Sequence, residues 1–115
     1  LFYVAKREFV RKNRAALVDW LEDYIRGTRW LLDPANREKA LDMTAAFTKR
    51  KRRIYKSWAF TKDKDLYHDR SARLDVKALQ RNIDTMHEQG ILRRSFDVTK
   101  NVHESLVKEA AARIK

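Results

Sequence analysis

The stretch Arg14-Ala15-Ala16-Leu17-Val18-Asp19-Trp20-Leu21-Glu22-Asp23-Tyr24-Ile25-Arg26-Gly27-Thr28-Arg29-Trp30-Leu31-Leu32-Asp33-Pro34-Ala35-Asn36 decides the fold class. Leu17, Trp20, Leu21, Tyr24, Thr28 and Leu31 recur at steps of three and four, the spacing that gathers side chains on one face of an α-helix. A helix is predicted over residues 14–32, weakened at Gly27 by about 1 kcal/mol relative to Ala. It ends at a boundary with a mechanism. Asp33 can cap the next helix with its side-chain oxygen, and Pro34 suits a first helical position, where a missing N–H costs nothing.

Working outward, Ala40, Leu41, Thr44 and Phe47 continue the helical period until it breaks near Thr48. Lys49-Arg50-Lys51-Arg52-Arg53 then places five basic residues in a row. Ile54, Tyr55, Trp58 and Ala59 put an aromatic stripe on a third, short helix. Residues 61–73 have no apolar period and read as a polar loop. Asp75 is the expected cap of a helix carrying Val76, Leu79, Ile83 and Met86. Gly90 supplies its left-handed stop, and Ile91 and Leu92 fold back onto it. Asp97 caps one more turn, and a last helix carries Val102, Leu106, Val107, Ala110 and Ile114. Upstream, residues 1–5 are a short apolar stretch consistent with the tail of a buried strand, and residues 6–12 are amphipathic. The expectation is an all-α chain of about five helices with a possible short N-terminal strand. Residues 1–115 form a single helical region, with no internal repeat and no interdomain linker.

Composition agrees with helices. The 115 residues include two Gly and one Pro, too few for a chain of many tight turns. With 43% hydrophobic residues, three Trp, five Phe and four Tyr, there is material for a core. The charged fraction of 37% exceeds the roughly 25% of an average domain. No Cys is present, which excludes disulfides, zinc–thiolate sites and thiol catalysis. No apolar run approaches the ~20 residues of a membrane span. The first residues, Leu-Phe-Tyr-Val-Ala, read as the start of a piece of something longer. The formal charge of +11 attracts anions, from nucleic acid and acidic membrane surfaces to small organic ligands.

Little here can carry out chemistry. His68, His87 and His103 stand far apart, outside any metal-ligand spacing, and read as surface or capping residues. Ser57, Ser71, Ser95 and Ser105 lack a nucleophile-elbow context. Gly27 and Gly90 are too isolated to cradle a phosphate. Glu22 and Asp23 are neighbours, so they point to different faces of a helix. No enzyme, metal or cofactor is expected. The basic run, with Lys6, Arg7, Arg11, Lys12 and Arg14, could form a stripe for nucleic acid with Tyr55 and Trp58 stacking on bases. No recognised nucleic-acid-binding signature accompanies it.

Taken in series, three blocks resemble one family. Arg7-Glu8-Phe9-Val10-Arg11-Lys12-Asn13-Arg14 resembles the lead-in to the C-terminal helices of periplasmic solute-binding proteins of ABC importers, of the taurine, alkanesulfonate and thiamine-precursor type. Trp30-Leu31-Leu32-Asp33-Pro34-Ala35-Asn36-Arg37-Glu38 is similar to that family's helix–helix junction. Leu74-Asp75, Leu79-Gln80-Arg81-Asn82-Ile83-Asp84, Gly90-Ile91-Leu92 and Asp97-Val98 resemble its terminal region. The resemblance implies a fragment of a two-lobed α/β protein, closing by a hinge on a small organic anion and delivering it to ABC importer membrane subunits. Residues 1–5 would lie near the crossover between lobes, which makes Tyr3 and Lys6 the substrate-binding candidates. The basic run at Lys49 to Arg53 departs from the family's pattern. Isolated from upstream lobes, such helices are expected to self-associate.

Overall fold

The computed structural model describes residues 2–61 and 69–114. Among them are six α-helices, two 3-10 turns and no strand. Helix α1, Arg7–Lys12, ends at Asn13, whose side-chain amide donates to the Phe9 carbonyl at 2.9 Å. Asn13 leaves helical geometry (φ −117°), so the amphipathic segment is a separate helix rather than the first turns of α2, Arg14–Leu31.

The buried face of α2 is rotated by a fraction of a residue step from the predicted one. Val18 and Ile25 are fully enclosed and Thr28 nearly so, with Leu17 and Leu21 on the flank. Trp20, placed in the core by its spacing, is 42% exposed. Opposite Val18 and Ile25 lie Leu106 and Ala110 of α6, Ser105–Arg113. Side chains the size of Val and Ile contribute about 1.5–3 kcal/mol each when enclosed in this way. Ion pairs at the rim set the direction of packing. Arg14 reaches Glu109 at 2.7 Å, and Arg113 reaches Asp19 at 2.7 Å. Residues 14–22 therefore run beside 105–113 in the same direction.

The junction after α2 uses the expected residues in a different arrangement. The Asp33 carboxylate accepts from the Ala35 N–H at 2.9 Å, so it caps a 3-10 turn at Pro34–Asn36. That turn feeds α3, Arg37–Thr48, whose own N-cap Asn36 instead donates its side-chain amide to the Trp30 carbonyl. Leu41 of α3 packs on Tyr55 of the single-turn helix α4, Arg53–Lys56, and on Ala59 beyond it. Together they make a second, smaller core.

Helix α5, Val76–Glu88, starts as predicted, with the Asp75 carboxylate accepting from the Ala78 N–H at 2.8 Å. Its end is a Schellman arrangement. Gly90 is left-handed (φ +73°) and donates to the His87 carbonyl, while Ile91 donates to that of Met86. The following chain is pinned back by side chains of α5. Gln80 donates to the Phe96 carbonyl and accepts from the Val98 N–H, and Ser95 donates to Asp84 at 2.6 Å. The Asp97 carboxylate caps a second 3-10 turn, Val98–Asn101.

The predicted N-terminal strand is corrected. Phe2, Tyr3 and Val4 are exposed, and no neighbouring strand among the described residues offers them a ladder. Of the predicted polar loop, residues 62–68, with His68, lie outside the described residues. From Asp69 onward the backbone is a turn organised by that carboxylate, which accepts from the Ser71 and Arg73 N–H groups.

Candidate functional site

Two surfaces concentrate the residues that could meet a ligand. The first surrounds Tyr3. Trp20 and Tyr24 stand one helical turn apart on α2, so their rings stack at 5.9 Å. Tyr3 meets both edge-on, at 4.7 Å from Trp20 and 5.8 Å from Tyr24. Those separations fall in the range where aromatic pairs attract beyond their buried area. The cluster anchors the N-terminal segment and leaves one flank open. Lys6 does not join it by any ring contact: it is the exposed N-cap of α1, its carbonyl accepting from the Val10 N–H. Of the two residues proposed for substrate, Tyr3 has an organised setting. Helical spacing predicts Trp20 and Tyr24 as core positions, and their four-residue separation is the sequence signal for the cluster.

The second surface is the turn between α3 and α4. Here the basic run divides. The Arg52 guanidinium donates to Glu38 and meets Asp42 at 2.7 Å, so it is spent on holding α4 to α3. The hydrogen bond from Arg52 and then its charge hold the Glu38 carboxyl below the usual range. Arg37 lies against Glu38 too and donates to the Lys56 carbonyl. Lys49, Arg50, Lys51 and Arg53 are exposed and have no carboxylate partner among the described residues. Glu38 and Asp42 are already engaged by Arg52.

The aromatic stripe divides as well. Tyr55 is buried, and its hydroxyl donates to the Thr48 hydroxyl at 2.8 Å. Trp58 is 43% exposed, with its indole N–H on the Ile54 carbonyl at 2.9 Å, so the ring lies along the helix. Ile54 is 46% exposed, and Phe47, just before the turn, is 90% exposed. Lys49 itself has φ +55°, the left-handed conformation that a side chain normally avoids. Lys49 donates to the Ala46 carbonyl and Arg50 to that of Ala45, completing the same Schellman pattern that Gly90 makes on α5. No glycine announces this stop.

Elsewhere the inventory is structural. His87 holds the end of α5 through Nδ1, 3.0 Å from the Leu92 carbonyl, and His103 lies exposed ahead of α6. Among the described residues no cluster of three His, Asp or Glu could hold a metal ion. Ser95 is committed to Asp84, and Ser105 accepts from Arg14 at 3.4 Å. An open depression of about 350 Å³ is lined by Val76, Thr99, Val102 and Glu104. No helix among the described residues is long and apolar enough to cross a membrane. No protein-family model matches the chain, and no curated protein or solved structure matches it.

Proposed function

We propose that this chain is the helical C-terminal part of the substrate-binding component of an ABC importer, working in the periplasm on a small organic anion. The class proposed is a sulfonate, an aromatic carboxylate or a thiamine precursor. The three blocks of resemblance suggest it, and one observation carries it further. The helices leave large apolar side chains uncovered along much of the chain: Phe2, Tyr3, Val4, Phe9, Met43, Phe47, Ile91 and Phe96. Surfaces of this kind on a small chain mark contact with other protein or with a membrane. In the proposed whole, an α/β lobe covers part of them, and Tyr3 with Trp20 and Tyr24 stands near the hinge.

The test is thermal denaturation of the complete gene product carrying this segment, against a panel of alkanesulfonates, aromatic carboxylates and thiamine precursors. A ligand that binds only the folded state stabilises it by about 2.7 kcal/mol at a hundred times its dissociation constant. A rise of several degrees with at least one member is expected. Unchanged melting across the panel would overturn the reading. The competing reading is a basic nucleic-acid-binding module, favoured by the unpaired cations of the α3–α4 turn. Its signature is DNA affinity that falls steeply as salt rises.

A further inference from the structure

We infer that the α3–α4 turn is a docking surface for anionic phospholipid headgroups. It is independent of the organic-anion site proposed above, since it involves neither Tyr3 nor the α2 aromatics. The case begins with charge. Lys49, Arg50, Lys51 and Arg53 crowd one turn, and Arg52 removes Glu38 and Asp42 from the carboxylates that could neutralise them. The four remaining cations are exposed and meet no carboxylate among the described residues, so they are available to an external anion.

Backbone conformation adds a second, independent observation. Position 49 is left-handed, where glycine carries no steric penalty and lysine does. Glycine at Gly90 makes the same stop on α5. Phe60 and Ala72 share this conformation, but among the described residues only position 49 carries it inside the basic run.

The neighbours choose between phosphate sources. Stacking on bases needs free aromatic faces. Tyr55 is buried and the Trp58 indole is held on the Ile54 carbonyl, which leaves Phe47 as the one ring of the three that is more than half exposed, too little for a ladder of rings. What borders the cations along the chain is apolar bulk: Phe47 precedes the run and Ile54 and Trp58 follow it, all three exposed. Aliphatic and aromatic side chains level with Lys and Arg suit the boundary between headgroups and acyl chains. Each basic residue held at an anionic membrane surface contributes roughly a fivefold gain in partitioning. Four of them with three apolar anchors make a peripheral, salt-sensitive contact.

The experiment is co-sedimentation of the full chain with vesicles of phosphatidylcholine, with and without a minority of phosphatidylglycerol. Partitioning at least tenfold stronger onto the anionic vesicles is expected, declining as salt rises. Replacing Lys49, Arg50, Lys51 and Arg53 together by Ala should abolish that preference. A control of equal charge change, Lys77, Arg81, Arg93 and Arg94 to Ala, should retain most of it. Phe47→Ser alters a side chain that packs on nothing here, so it should weaken binding without touching the fold or the salt slope. Equal losses from the two quadruple variants would mean that only net charge matters, and the inference falls. It falls equally if duplex DNA is bound while both kinds of vesicle are ignored.

Discussion

Lys49 is in tension with its backbone, as are Phe60 and Ala72, all three left-handed without being glycine. A non-glycine side chain in the left-handed region costs about 1–2 kcal/mol. Lys49→Gly should therefore raise the unfolding free energy by about 0.5–1 kcal/mol, after the extra entropy of a glycine in the unfolded chain is deducted. Urea denaturation followed by circular dichroism checks this, and an unchanged or lowered midpoint would show that the lysine stem repays its strain through packing. The same substitution removes a cation, so stability and vesicle binding should move in opposite directions. This stop is invisible in the sequence, because it lacks the glycine that marks a left-handed cap. Gly90 was legible for the same reason that Lys49 was not. Tyr3 was singled out through family resemblance alone. The ring cluster that orders it depends on a long-range approach of the N-terminal segment to α2, which no local period encodes.

Among the elements, helix existence was the most legible feature, since a three- and four-residue period survives in α2, α5 and α6. The exact buried face was less so. Val18 and Ile25 lie outside the predicted stripe of Leu17, Trp20, Leu21, Tyr24, Thr28 and Leu31, and packing against α6 encloses them. The N-terminal segment read as a strand because Phe, Tyr and Val favour extended chain, yet a strand needs a partner to pair with. Helix α5 shows the opposite case, where polar side chains specify the connection after it. Hydrogen bonds from Ser95 and Gln80 hold the Asp84 carboxyl below its usual range. A carboxylate lowered in the folded state stabilises it fully above the unfolded value of about 3.9 and loses that contribution as pH falls through the folded value. The wild type's advantage over Asp84→Asn should hold at neutral and mildly acidic pH and shrink below about pH 4. A constant difference across that window, measured by thermal denaturation, would assign no role to the charge of Asp84.

For the whole molecule, the radius of gyration is 16.9 Å, against about 13 Å expected of a compact chain of this length. The cause is visible in the cores: one lies between α2 and α6 and another around Leu41 and Tyr55, while the buried Ile83 and Val98 belong to neither. Such a chain, studied alone, is expected to cover its open apolar faces with a second copy. Sedimentation velocity at high micromolar concentration should show dimers or larger species, dissociating on dilution, and a strict monomer there would sink the idea. The parallel pairing of α2 with α6 has a further consequence in time. The partners Arg14 and Glu109 are 95 positions apart. During synthesis at about 5–20 residues per second, α2 emerges and waits on the order of ten seconds before its partner exists. In that interval Val18 and Ile25 have nothing to lie against, and the nascent chain offers them to whatever chaperone stands at the ribosome exit.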